Sequence, residues 1–181
     1  MSKNVFLGST SSDLKDVRAV LRQFIPALGF ELTCFEDPKF KKQAGKHAHD
    51  MCLDNVLISD IYVLIIDEKF GDEYQGEKEE LAGRSVTWAE VGVALREEKI
   101  ICVFVRRYVW LEKGTWAWNR DKGIKIEPYY AKDVRVFEFI EFMASRPKDN
   151  WIDQFDDVEE LKTQVKNRLT PMLDQGQYHT R

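Results

Sequence analysis

The sequence is poor in cysteine and contains no long apolar run. Its three cysteines, Cys34, Cys52 and Cys102, fit neither a zinc motif nor a disulfide framework. They lie on apolar strand-like or helical segments, so we expect buried, reduced thiols and a cytoplasmic protein. No apolar run approaches the roughly 20 residues that cross a bilayer, and because the first predicted strand starts at residue 5 we expect no signal peptide. We therefore expect no membrane partner.

The chain also lacks an excess of positive charge, internal repeats and low-complexity tracts. Its 27 basic and 31 acidic residues give a net charge of -4, which argues against a nucleic-acid partner. A length of 181 residues is enough for one domain with a sizeable core. We therefore predict a single domain over residues 1–181.

Strand-like and helix-like segments alternate along the first 105 residues. Strands are predicted at residues 5–8, 30–35, 61–66 and 100–105, and helices at 14–28, about 47–59 and about 87–98. The segments 61–66 and 100–105 are almost wholly apolar, as in strands covered on both faces. This βαβαβαβ order predicts an α/β domain with a parallel sheet and right-handed crossovers.

The pattern loosens after residue 105. Residues 106–130 contain Trp110, Trp116 and Trp118 among charges and glycines. Residues 134–139 alternate between apolar and polar and are predicted to be the last strand. An amphipathic helix is predicted from about residue 158.

The turn after the first strand carries hydroxyl groups at Ser9, Thr10 and Ser11. Backbone N–H groups at a helix start favour anions, so this turn is a candidate for binding phosphate or ribose. Thr10-x-x-Asp13 also fits a capping box, and on these residues alone capping is favoured. Neither a Walker motif nor a Rossmann fingerprint is present.

Glu90 is the most informative polar residue of the sequence. It begins a predicted helix that follows a buried strand and a long polar loop, which places it at the carboxyl edge of the sheet, where ligands bind. A carboxylate in a first helical turn is held ionised by the helix dipole and is suited to stabilise or attack a ribosyl cation. Thr87-x-x-Glu90 is equally consistent with a capping box. Trp88 would stack on a ring or fill the core, and Gly92 would allow close packing.

Other polar groups give weaker signals. Asp67 ends a buried strand, and Phe70 and Tyr74 in the loop that follows it are candidates to cover a ligand, although a solvated loop is the commoner case. His47 and His49 lie two apart on a predicted helix and point to different faces, so no metal site is expected. Arg106 and Arg107 follow the fourth strand, where they would contact phosphate or solvent.

Four sequence blocks resemble those of a widespread uncharacterised domain family. Residues 6–18 resemble its opening F-I-S-S-T-x-x-D-L-x-x-E-R, and residues 52–65 resemble its second block. Residues 70–71 resemble its R-Y-G, and residues 85–90 its S-x-T-E-x-E. The order and spacing agree over about 4–105, leaving 106–181 as a variable part. Gly8 stands where the family has serine, Val17 and Trp88 where it has glutamate.

The resemblance implies a distant relationship to Toll/interleukin-1 receptor (TIR) domains and nucleoside deoxyribosyltransferases. It implies a flavodoxin-like, three-layer α/β/α fold, in which Glu90 maps onto the catalytic glutamate. By this resemblance NAD would be the substrate, with no separate cofactor, and its nicotinamide–ribose bond would be cleaved. The product would serve as a nucleotide immune signal in bacterial antiphage defence, and the chain would work as a homo-oligomer or with a sensor or effector partner. The substrate site would comprise Gly8, Ser9, Thr10, Ser11, Asp67, Phe70, Gly71, Thr87 and Trp88.

Two alternatives stay open from the sequence. The first is a nucleoside or deoxynucleoside N-glycosidase or transferase that acts on a smaller substrate. The second is a non-catalytic, TIR-like module for signalling or oligomerisation, which would tolerate the loss of the Glu90 carboxylate.

Overall fold

A computed structural model describes residues 2–10 and 12–174. The strands are β1 (Asn4–Gly8), β2 (Glu31–Thr33), β3 (Ile61–Ile66), β4 (Ile100–Arg106) and β5 (Ile152–Phe155). The helices are α1 (Lys15–Ala27), α2 (Ala48–Leu57), α3 (Val86–Arg96), α4 (Arg107–Arg120), α5 (Arg135–Ala144) and α6 (Val158–Asp174), and a short 3₁₀ helix spans Glu79–Leu81.

The five strands form one parallel sheet in the order β2-β1-β3-β4-β5. This is the flavodoxin-like order, so the predicted α/β fold is confirmed. Every residue of β3 is buried, as expected for a central strand. The chain leaves β1 towards one side of the sheet and β3 towards the other. A crevice opens at the carboxyl ends of strands at such a switch point, and ligands of this fold bind there.

Alternation along the strands divides the core between the two faces of the sheet. In β1, Val5 and Leu7 pack in the core that includes residues of α1 and α6, whereas Phe6 packs in the core that includes residues of α2, α3 and α5. The two cores give the three-layer architecture. The three cysteines are free and buried, as predicted.

The part after β4 differs from its prediction. Residues 134–139 do not form a strand, because they belong to the end of a turn and to helix α5. The buried positions Val136, Phe137, Ile140 and Met143 recur with helical spacing, and the short alternating run concealed that longer period. The last strand is instead β5, whose sequence I-D-Q-F buries only Phe155 fully.

Both predicted capping boxes are wrong. Helix α1 starts at Lys15 without a side-chain cap, and the Thr10 hydroxyl donates to the Asp13 carboxylate (2.5 Å) within the preceding turn. Helix α3 is capped by Ser85, whose hydroxyl accepts from the Trp88 N–H (3.2 Å). Glu90 is consequently the fifth residue of α3 and lies in its second turn rather than its first.

Gly92 does not mediate the close helix packing predicted for it. A Cβ atom built on this residue meets nothing within 4 Å. Across residues 2–10 and 12–174, no helix combines the length and apolar character needed to cross a membrane.

Candidate active site

A cavity of about 140 Å³ lies at the carboxyl end of β1, where the switch point of the sheet predicts a binding crevice. It takes side chains from the ends of β1 and β2, from helices α1, α2 and α3, and from the loop after β3. Its lining comprises Phe6, Leu7, Gly8, Ser9, Thr10, Ser12, Arg18, Phe35, His49, Cys52, Gly71, Asp72, Val86, Thr87 and Glu90.

Glu90 lines this cavity and is 6% exposed. Burial raises its pKa to about 7, although hydrogen bonds from Tyr62 and Cys52 and the charge of Arg18 oppose that rise. The prediction that the helix end holds this group ionised is therefore wrong, because Glu90 lies beyond the first turn and burial dominates. Both protonation states are populated near neutral pH, as in groups that work as acids, bases or nucleophiles.

Tyr62, in strand β3, binds the carboxylate of Glu90 in helix α3. Its hydroxyl donates to Glu90 Oε2 at 2.7 Å, and its fully buried ring stacks on Phe6 with centroids 5.6 Å apart. A Cβ atom on Gly8 would lie 1.9 Å from the Tyr62 hydroxyl oxygen. Gly8, which departs from the family pattern, thus makes room for the tyrosine that binds Glu90.

A fixed positive charge forms another wall of the cavity. The Arg18 guanidinium, 3% exposed, binds the Glu36 carboxylate through Nε (2.7 Å) and Nη2 (2.5 Å) and donates through Nη1 to Ser9 Oγ (2.7 Å). Burial alone would raise the pKa of Glu36, but the hydrogen bonds and charge of Arg18 outweigh burial and hold that pKa at about 2. The Arg18–Glu36 pair is therefore ionised and orients the Ser9 hydroxyl.

His49, near the start of α2, also lines the cavity. Its Nδ1 accepts a hydrogen bond from the backbone N–H of Gln75 at 2.9 Å. Burial, together with the nearby charge of His47, lowers the pKa of His49. His47 instead caps α2 by accepting from the backbone N–H of His49. Among the described residues, no group of three or more His, Cys, Asp or Glu is arranged to hold a metal ion.

The loop between β3 and α3 is anchored beside the cavity. The Tyr74 hydroxyl donates to the Asp50 carboxylate, which also accepts from the Glu77 N–H at 3.1 Å. Tyr74 is therefore buried in a hydrogen-bond network, although the sequence made it a candidate to cover a ligand. Gly71 adopts a φ of +92° and brings the loop against Thr10.

The cavity brings together six of the residues predicted to form the site: Gly8, Ser9, Thr10, Gly71, Thr87 and Glu90. Ser11 lies outside the described residues. Asp67, Phe70 and Trp88 do not line this cavity.

Each of the three residues outside the cavity has another role in the packing. Asp67 accepts from Arg106 (3.0 Å) and from the Tyr108 hydroxyl (2.9 Å). Trp88 stacks on Phe139 of α5 with centroids 4.8 Å apart and meets the ring of Phe70 edge-on.

Arg106 and Arg107 are engaged by acidic partners. Arg106 pairs with Asp67 and lies over the Phe155 ring, 4.5 Å from its centroid. Arg107 pairs with Asp156 and Glu160. Both side chains therefore have carboxylate partners, although the sequence placed them as candidates for phosphate contacts.

Sequence reasoning missed three residues that shape this site: Arg18, Tyr62 and His49. Tyr62 belongs to the predicted buried strand at 61–66, and its signal is a single hydroxyl in an otherwise aliphatic run. Arg18 corresponds to the final arginine of the family-like opening, and His49 was considered only as a metal ligand.

The family model described as a domain of unknown function, DUF4062, matches residues 4–170. The match extends beyond the motif blocks at 4–105 and includes helices α4 and α5. The comparison with curated proteins gives no match.

Among solved structures, the chain is similar to the CMP N-glycosidase BcmB of Clostridium botulinum. The TM-score is 0.49 at 15% identity, over 92% of this chain and 100% of that chain.

Proposed function

We propose, from the premise that this chain belongs to the DUF4062 family of unknown function, that it cleaves the N-glycosidic bond of a small nucleoside or nucleotide. The observation that supports this proposal is the buried carboxyl group of Glu90 in a cavity at the switch point of the sheet. Its pKa of about 7 leaves a large fraction ionised at neutral pH.

Cleavage of an N-glycosidic bond generates positive charge on the sugar. The C1′–N bond breaks, its electron pair stays with the base, and C1′ gains oxocarbenium character. An ionised Glu90 would stabilise this cation or attack it to form a glycosyl ester that water hydrolyses. Because Glu90 is nearly removed from solvent, its charge acts with little screening.

The size of the cavity favours a small substrate. A cavity of about 150 Å³ holds a ligand of the size of benzene, so the 140 Å³ here admits about one sugar or one six-membered ring. The rest of a nucleoside would lie across the open mouth, where Phe35 is half exposed. Sugar hydroxyls would be bound by Ser9, Thr10 and Thr87, whose side chains are in the lining.

Cleavage of NAD is a second candidate. It is supported by the family-like blocks around Glu90 and by a cation beside the cavity, since Lys69 Nζ donates to Ser12 Oγ at 3.1 Å. A phosphate group that extends from the cavity would reach this lysine. In this candidate the resemblance to TIR domains extends to substrate, and the product would serve as a signal in antiphage defence.

The test incubates the purified full chain with nucleosides, deoxynucleosides, their 5′-monophosphates and NAD, and follows the free base or nicotinamide by mass spectrometry. We expect release from at least one substrate and a loss of at least about 10³-fold in Glu90→Gln. Glu97→Gln, an exposed glutamate just after the same helix, is the matched control and should retain activity. The absence of any released base or nicotinamide across this panel would overturn the proposal.

A further inference from the structure

The imidazole of His49 is held in one orientation and one tautomer. Its Nδ1 accepts from the Gln75 N–H at 2.9 Å, its ring meets His47 edge-on with centroids 4.6 Å apart, and it lies 6.0 Å from the Tyr74 ring. A nitrogen that accepts a hydrogen bond carries no proton, so the proton of the neutral ring is on Nε2. The neutral ring thus carries one N–H donor, and His49 lines the same cavity as Glu90.

We propose, on the basis of the proposed N-glycosidic cleavage, that His49 Nε2–H binds the leaving group and that the substrates carry a neutral nucleobase rather than nicotinamide. The two classes of leaving group differ in charge. A neutral nucleobase departs with the electron pair of the C1′–N bond and becomes an anion, whereas the cationic nicotinamide of NAD departs as a neutral ring. A fixed donor stabilises the first departure and contributes little to the second.

The proton balance needs no charged histidine. The C1′–N bond breaks, the base anion accepts a hydrogen bond from Nε2–H through a ring nitrogen or carbonyl oxygen, and C1′ bonds to Glu90 or to water. Water finally supplies the hydroxyl group on C1′ and the proton on the base, so the products are the free sugar and the neutral base. The Gln75 N–H favours the neutral form of His49 because it donates to Nδ1. The neighbouring His47 also favours the neutral form, whereas Asp72 and Asp50 favour the cation.

The remaining lining suits a flat aromatic leaving group. Phe35 is 50% exposed, lines the same cavity, and is supported edge-on by Phe40 with centroids 5.4 Å apart. An exposed aromatic ring of this kind stacks on a base without selecting a particular one. In this proposal the N–H donor of His49, rather than Phe35, therefore discriminates between leaving groups.

Two substitutions separate the donor from the structural role of the histidine. In His49→Asn the amide oxygen reaches the place of Nδ1 and keeps the bond from Gln75, but no donor reaches the place of Nε2. In His49→Gln the longer amide restores an N–H near that place. Glu97→Gln, the exposed glutamate that serves as the control above, is again the control.

The experiment compares two ribosides with the same sugar in wild type and these variants. One is the nucleoside that wild type cleaves fastest among uridine, cytidine, adenosine and guanosine, and the other is p-nitrophenyl β-D-ribofuranoside, whose leaving anion is stable without a donor. We expect His49→Asn to lower kcat/KM about 10²-fold on the nucleoside and less than about fivefold on the nitrophenyl riboside. His49→Gln should recover part of the loss, and Glu97→Gln should match wild type.

The failures of the two proposals are distinguishable. Equal losses on both ribosides, or no loss on the nucleoside, in a His49→Asn protein with wild-type circular dichroism would overturn the role of His49. Release of nicotinamide from NAD by a wild type that cleaves none of the four nucleosides or their 5′-monophosphates would overturn the substrate class while leaving N-glycosidic cleavage intact. If the wild-type protein releases neither a base nor nicotinamide, the proposed function itself is wrong.

Discussion

At the scale of single residues, the site depends on a carboxyl group with an unusual environment. Glu90 is desolvated, and the groups that favour its ionised form are Tyr62, the charge of Arg18, and Cys52. Arg18 forms its salt bridge with Glu36 rather than with Glu90. Glu90 is thereby kept close to the midpoint of its titration at neutral pH.

The activity should depend on pH through this one group. Because the proposed reaction needs the ionised carboxylate of Glu90 to stabilise or trap the sugar cation, kcat/KM should fall about tenfold for each pH unit below about 7 and level off above it. Base release measured from pH 5 to 9 tests this expectation. A rate that is flat between pH 5 and 7 would mean that the ionisation of Glu90 does not limit the reaction.

Because the pKa of Glu90 is raised in the folded state, its ionisation lowers the free energy of unfolding at high pH. The folded pKa of about 7 exceeds the unfolded value of 4.5, so the folded state binds the proton more tightly, and stability falls as pH rises through the window from 4.5 to 7. Glu90→Gln lacks this loss and should be more stable than wild type at pH 8, by roughly 3 kcal/mol at most. The gain should shrink towards pH 5.

Urea denaturation at pH 5 and pH 8 measures this difference. Glu97→Gln, whose side chain is exposed, serves as the control and should show little change at either pH. An equal effect of Glu90→Gln at both pH values would show that the glutamine acts through packing rather than through the buried charge.

At the scale of elements, the contact between β1 and β3 decides whether Tyr62 reaches Glu90. Gly8 pairs with Leu64 across the two strands, and a methyl group on Gly8 would overlap the Tyr62 hydroxyl. Gly8→Ala should therefore destabilise the fold by about 1–3 kcal/mol and displace the phenol from Glu90.

A double-mutant cycle tests this packing. Gly8→Ala should cost much less in a Tyr62→Ala background, since the overlapping ring is then absent, and thermal or urea unfolding of the four proteins gives the coupling energy. Additive losses would show that the alanine at position 8 acts through the backbone and not through the tyrosine.

The elements that the sequence predicts well are those with a continuous apolar run or a long helical repeat of apolar residues. Strands β3 and β4 are continuous apolar runs, and α1 and α6 are amphipathic, so their sequences alone identify them. Strand β5 lies at the sheet edge with partly exposed residues, and its pattern is too weak to stand out. Helix α5 began with an alternating stretch that was too short to distinguish the two periods.

The site was predictable where its residues follow strand ends. Gly8, Ser9, Thr10 and Gly71 come directly after or close to the ends of β1 and β3, and parallel topology alone brings those ends together. Tyr62 and His49 come from inside a strand and a helix. Whether such a side chain reaches the cavity depends on strand register and on helix rotation, which a single sequence does not specify.

At the scale of the whole molecule, the C-terminal part supports the loop that borders the cavity. Arg135 of α5 binds Glu73 (2.6 Å) and lies over the Phe70 ring, 4.2 Å from its centroid. The Lys132 N–H donates to the carbonyl of Glu68 at 2.8 Å. The segment after β4 thus packs against the same loop that supplies Gly71 and Asp72 to the lining.

The exclusion between Gly8 and Tyr62 has a consequence for substitution patterns among relatives. A side chain at the position of Gly8 and a tyrosine at the position of Tyr62 compete for one volume, so the two sites should change together and not independently. In a relative with a larger residue at the position of Gly8, a tyrosine at the position of Tyr62 would have to shift or be replaced, and the carboxylate at the position of Glu90 would then need another donor. The residues at these two positions in a relative are therefore expected to indicate how its glutamate is held.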